Sequence, residues 1–129
     1  MDAPVSQFDR HNYLNLETFK RSGQGVKTPV WFVRDGSMLY VRTDAKSWKV
    51  KRVRNTARVR VVPSDAQGKP LGEWVDATAR LVEGEEADHA NRLAKHKYGA
   101  TKIGLDLLHR LQGHRWATIR IDLPGVEAR

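Results

Sequence analysis

The sequence predicts a mainly β (α+β) fold, an antiparallel sheet curled into a partly open barrel with short helices inserted late. Three observations point there. Six runs of alternating or β-branched residues recur between Tyr13 and Leu123. Turn segments separate most of them, where a doubly wound fold would place crossover helices. Helical spacing is confined to a short basic segment after Thr43 and to residues 83–112. Curling such a sheet reduces its unpaired edges.

Residues 1–12 are polar and mixed, and read as an N-terminal arm or short helix leading into a single domain over 13–129. Tyr13 to Lys20 reads as a strand ending at Ser22-Gly23-Gln24-Gly25, where glycine supplies a turn. Thr28 to Arg34 is β-branched and aromatic and stops at Asp35-Gly36, a strong hairpin signal before Met38 to Thr43. The first half therefore reads as a three-stranded meander. A short helix is expected from about Ser47, with Asp44 or Ser47 as N-cap. Thr56 to Pro63 is the next strand, with Val59 and Val61 facing away from Arg58 and Arg60. After a loop around Gln67–Gly72, Trp74 to Val82 alternates, with Val75, Ala77, Ala79 and Leu81 on one face.

Residues 83–98 show helical spacing, with Glu83, Glu85 and Glu86 at the start and Lys95, His96 and Lys97 at the end. That order complements the helix dipole, and Gly99 ends the helix. A second helical stretch is expected over Thr101 to Gln112, closed by Gly113. Trp116 to Leu123 is the last strand, ending at Pro124-Gly125.

Composition narrows the chemistry. The 129 residues suffice for one core. With no cysteine there is no disulfide, thiolate nucleophile or thiolate metal site. No apolar run approaches the ~18–20 residues of a membrane span, and the N-terminus lacks a signal-peptide pattern. The expectation is a soluble, cytoplasmic protein that makes no membrane contact. Its formal net charge of +8 calls for an anionic partner.

Seven of the basic residues fall between Lys46 and Arg60, with no acidic residue among them. Ser47, Lys49 and Lys51 stand beside a predicted helix N-terminus, where free N–H groups, the helix dipole, a hydroxyl and ammonium groups favour a phosphate. Arg42 and Thr43, at the end of the preceding strand, offer a guanidinium and a second hydroxyl. A solvated basic helix face is the plainer alternative. Other signals are weak: Gly23-x-Gly25 lacks a strand-to-helix context, and no Walker loop or Gly-x-Ser-x-Gly occurs. His89 and His96 have no evident third ligand, so no metal site is expected.

The order of these segments resembles the pyridoxamine-phosphate-oxidase-like split-barrel family, in particular its flavin/deazaflavin-dependent oxidoreductases. The resemblance rests on Tyr13 to Thr18, Val26 to Phe32, Leu39 to Thr43, Lys49 to Asn55 with Arg58-Val59, and Lys97-Tyr98-Gly99. It implies a six-stranded antiparallel FMN-binding-type split β-barrel, and a homodimer with the cofactor at the interface. It further implies that Thr28, Pro29, Val30 and Trp31 lie along the ring. The segment with Arg42, Thr43, Ser47, Trp48, Lys49 and Lys51 would hold the phosphate; Trp48 stands where some relatives carry an arginine. The expected activity is hydride transfer from a reduced cofactor to an unsaturated organic acceptor, a small-molecule substrate. Coenzyme F420, whose tail carries carboxylates beyond the phosphate, suits the basic excess better than FMN, the alternative cofactor. No catalytic residue can be nominated from the sequence. A non-catalytic cofactor carrier and a basic nucleic-acid-binding barrel are the rival readings, the latter disfavoured by the absence of a recognised signature.

Overall fold

The computed structural model describes residues 5–99 and 115–124. A single 3-10 turn, Val5–Phe8, leads into β1 (Tyr13–Phe19), β2 (Gly25–Trp31), β3 (Val33–Asp35) and β4 (Met38–Asp44). Helix α1 (Trp48–Asn55), β5 (Arg58–Ser64), β6 (Val75–Val82), α2 (Gly84–Tyr98) and β7 (Trp116–Asp122) follow. All strand pairings are antiparallel, in one seven-stranded sheet of order β2-β1-β5-β6-β7-β4-β3. The second helix expected over Thr101 to Gln112 and its closing Gly113 lie outside the described residues.

Two expectations are corrected. The sheet has seven strands, not six, and its hydrogen-bonded ladder is not closed. The first half is also not a plain meander. The run read as one strand from Thr28 to Arg34 is divided at Phe32, so that β2 pairs with β1 and β3 pairs with β4. β2 and β3 are thus the two edges of the sheet, yet adjacent in the chain. The polypeptide itself crosses the gap between the edges, at Phe32.

That crossing is fastened from three directions. The Phe32 ring is 2% exposed and meets Phe8 edge-on at 5.8 Å. Its carbonyl, released from the ladder, accepts the Tyr98 hydroxyl at 2.5 Å and Lys97 Nζ at 3.0 Å. The same lysine donates to His11 O at 2.8 Å and lies 4.0 Å from the Phe32 ring centre. Burial lowers the Lys97 pKa to about 8 and raises that of Tyr98. The arm expected to be a mere lead-in therefore contributes Phe8 to the core.

The alternating positions behave as read. Val59, Val61, Ala77, Ala79, Ile119 and Ile121 are buried inside the barrel with Leu14, Leu16, Leu39 and Val41, each large aliphatic contributing roughly 1.5–3 kcal/mol. A second cluster of Val33, Tyr40, Val82, Ala90 and Tyr98 joins α2 to the outer face of the sheet. The Asp35-Gly36 turn forms as expected, with Asp35 opposite Met38 and Gly36 at φ +61°, a conformation that favours glycine.

Helix α2 is also held by charge. Glu86 Oε2 accepts the Tyr40 hydroxyl at 2.7 Å and Arg120 Nη1 at 2.9 Å. Hydrogen bonding from Tyr40, then from Arg120, holds the Glu86 carboxyl below its ordinary value, while burial and Glu86 push Tyr40 up to about 12. A depressed carboxyl stabilises the fold above the unfolded carboxyl's pKa. That contribution is lost as pH falls through the lower, folded value. Urea unfolding followed from about pH 6 to about pH 3 should therefore show a falling midpoint, and Glu86→Gln should flatten that fall. An unchanged slope in the variant would remove Glu86 from the acid response.

Candidate functional site

β4 ends at Asp44, whose Oδ1 accepts the Lys46 N–H at 2.8 Å, while its carbonyl accepts the Ser47 N–H at 3.0 Å. This tight turn delivers Ser47 to the N-cap of α1, with extended backbone at φ −68° and ψ 154°. Ser47 does not use its hydroxyl as a cap. Its Oγ is buried with no hydrogen-bond partner, a condition that is costly unless a ligand supplies the partner. Lys49 Nζ reaches 3.5 Å from Thr43 Oγ1, and Thr43 is itself buried. The Thr43 hydroxyl and the Lys49 ammonium therefore meet beside the helix end that Ser47 begins.

The remaining basic residues do not converge there. α1 has three faces, set by its 3.6-residue period. Val50 and Val53 are buried beneath it. Trp48, Lys51, Arg52 and Asn55, at i, i+3, i+4 and i+7, share a different face and line an open groove of about 590 Å³ with Lys20, Arg21 and Val26. Trp48 is 69% exposed with Lys51 Nζ 4.4 Å from its ring centre, and Arg52 donates to Thr18 Oγ1 at 2.6 Å. Lys51 stands about 200° around the helix from Lys49, so the two lysines address different surroundings.

Arg42 departs further from the expected set. Adjacent strand residues point to opposite faces of a sheet. Thr43 shares its parity with the core residues Leu39 and Val41, whereas Arg42 shares its parity with Tyr40. The Arg42 guanidinium stacks 3.8 Å from the Trp116 ring centre and lines a cleft with Trp31, Val33, Ala90 and Ala94.

The ring-side candidates lie on β2. Val30 is in the core, and Thr28, opposite Leu16, faces the same way. Pro29 pairs with Asn15, beside Gly68; proline is tolerated because β2 is an edge strand. Trp31 packs on Tyr13 with ring centres 5.6 Å apart. β2 thus runs from Val26, in the α1 groove, to Trp31, in the Arg42 cleft. It connects the surfaces among which the basic residues are divided.

The sequence reading gave no role to Tyr40 or Arg120, placed Glu86 only at the acidic start of a helix, and set aside His89, whose Nε2 lies 2.7 Å from Asp35 Oδ2. Only the polar residues spaced among alanines on α2 hint at them. Among the described residues no cluster of side chains is arranged to hold a metal ion, and no helix is long and apolar enough to cross a membrane.

No protein-family model matches this sequence, and no curated protein matches it. Solved structures do. One is a provisionally assigned pyridoxamine 5'-phosphate oxidase from Listeria innocua, 17% identical, with a TM-score of 0.65 over 94% of this chain and 90% of that one. The heme storage protein HutZ from Vibrio cholerae gives 0.72 at 13% identity, over 93% and 87% of the two chains. An F420-H2 dependent reductase gives 0.57 at 19% identity, over 86% and 94%. The chain has the fold of these pyridoxamine-phosphate-oxidase-like split-barrel proteins. Oxidoreductase and storage proteins both occur among its neighbours.

Proposed function

We propose that this protein is an oxidoreductase that binds the phosphate of coenzyme F420, or alternatively FMN, at the start of α1. The buried Ser47 Oγ without a partner carries the reading. It stands at the helix N-terminus near Thr43 and Lys49, a set that suits a phosphate dianion by charge and by donors. When bound, either cofactor would supply hydride transfer to an unsaturated organic acceptor. Ser47, Thr43 and Lys49 would bind and orient the phosphate; Thr28 to Trp31, on edge strand β2, would flank the ring and exclude water. β2 pairs on one side only, which suits the proposal that a second copy completes the cleft in a homodimer.

The groove along α1 favours coenzyme F420 over FMN. Lys20, Arg21, Lys51 and Arg52 offer cations to carboxylates beyond the phosphate. The same groove supports a second reading, a nucleic-acid-binding barrel, because an exposed Trp48 among cations suits stacked bases and a phosphate chain.

Side-by-side titration of the purified protein with coenzyme F420, FMN and a single-stranded oligonucleotide distinguishes these readings. The expected result is saturable binding of coenzyme F420, about tenfold or more tighter than FMN, with an affinity that falls as salt rises. Binding of the oligonucleotide alone would sink the proposal.

A further inference from the structure

Five arginines of the described residues are at least partly withdrawn from solvent, and four of them have an acceptor. Arg34 pairs with Asp9, Arg60 with Glu17, Arg120 with Glu86 and Asp122, and Arg52 donates to Thr18. Arg42 differs. Its Nε is buried with no hydrogen-bond partner, and it stands in no ion pair among the described residues. Desolvation lowers its pKa with no carboxylate to offset the shift. A guanidinium held in this condition is costly without an acceptor.

We infer that Arg42 anchors a carboxylate subsite in the cleft between α2 and the outer face of the sheet, apart from the phosphate site at α1. Trp116 covers one face of the guanidinium at 3.8 Å, so a ligand meets it through its in-plane N–H groups. That edge presents the parallel donors that a planar carboxylate accepts. The cleft is shallow, with a free volume of about 10 Å³, and its other walls include Trp31, Val33, Ala90 and Ala94. That volume is room for about one water-sized group, so the carboxylate head enters and the body of the acid lies outside, against Trp31 and Ala94, which are only partly buried. Trp31 also belongs to the proposed ring-side segment, so the subsite assigns the acceptor a class: an unsaturated acid, bound by its carboxylate. That assignment to the substrate rests on the oxidoreductase reading; the binding site itself does not.

The test uses the full chain without added cofactor, so it succeeds or fails independently of the oxidoreductase reading. Benzoate and its uncharged analogue benzamide are titrated by calorimetry and by tryptophan fluorescence, which Trp116 should report. Benzoate should bind saturably and benzamide about tenfold or more weakly. Arg42→Gln should remove about that same factor for benzoate and leave benzamide unchanged. Should that variant fail to fold, Arg42→Lys, which keeps the charge and lacks the fork, should also lose most of the benzoate affinity. Equal binding of the two probes, or full benzoate affinity in the variant, overturns the proposal. So does an absence of benzoate binding up to about 10 mM. Sedimentation of the same samples separates the two sources of a carboxylate. If Arg42→Gln alters self-association and not benzoate affinity, the acceptor is a side chain of a second copy, and the small-molecule subsite is refuted.

Discussion

Replacing Lys49 by alanine should weaken binding of a phosphate-bearing flavin or deazaflavin by about ten- to a hundredfold, or about 1.4–2.7 kcal/mol. The size follows from the loss of one charge-assisted hydrogen bond at a site where Thr43, Ser47 and the helix end remain. Lys49 lies outside the barrel core, so thermal unfolding should change little. Lys51→Ala gives the informative contrast, because Lys51 faces the groove on the other side of α1. It should scarcely affect FMN and should weaken coenzyme F420 in a salt-dependent way, as expected for a lysine that meets the tail and not the phosphate. Parallel absorbance titrations at two ionic strengths measure both effects. Unchanged affinity in Lys49→Ala would place the phosphate elsewhere.

The contrast between these lysines shows what was legible in the sequence. The concentration of charge between Lys46 and Arg60 was plain, and so was the helix that carries four of its seven basic residues. The direction of each side chain was already implied by periods of 3.6 and 2. Trp48, Lys51, Arg52 and Asn55 fall on one helical face, and Arg42 and Thr43 alternate on a strand. In keeping with those periods, the structure places these side chains at a helix end, in a groove and in a cleft.

Other features depend on partners far apart in the chain. Tyr40 meets Glu86 and Arg120, and Lys97 meets His11 and Phe32. No local pattern announces such pairs. The division of the Thr28 to Arg34 run was hidden for a related reason. Apart from Pro29, which an edge strand tolerates, its residues suit a strand, and nothing local distinguishes Phe32 from its neighbours. The break arises because the chain must pass between two sheet edges there, a requirement set by the whole barrel.

That requirement makes Phe32 the position where one substitution should cost most stability. Phe32→Ala is expected to destabilise the fold by about 3–5 kcal/mol, the range for a fully buried phenylalanine, and to lower the melting temperature by roughly 10–20 °C. The ring fills the space between Phe8 and Lys97. Alanine leaves a cavity there and strips Lys97 of the nearer of its two aromatic rings, while the backbone carbonyl still accepts Tyr98 and Lys97. Tyr98→Phe tests the complementary half. It keeps the ring and removes the hydroxyl from the Phe32 and Asn12 carbonyls, at an expected cost of about 1–3 kcal/mol. Because Lys97 shares the Phe32 carbonyl with Tyr98, the two variants should couple, and the double variant should lose less than the sum of the single losses. Denaturant unfolding of the four proteins measures the coupling. Strict additivity would mean that ring packing and carbonyl capture act separately, and that Phe32 fills the core without fastening the edges of the sheet together.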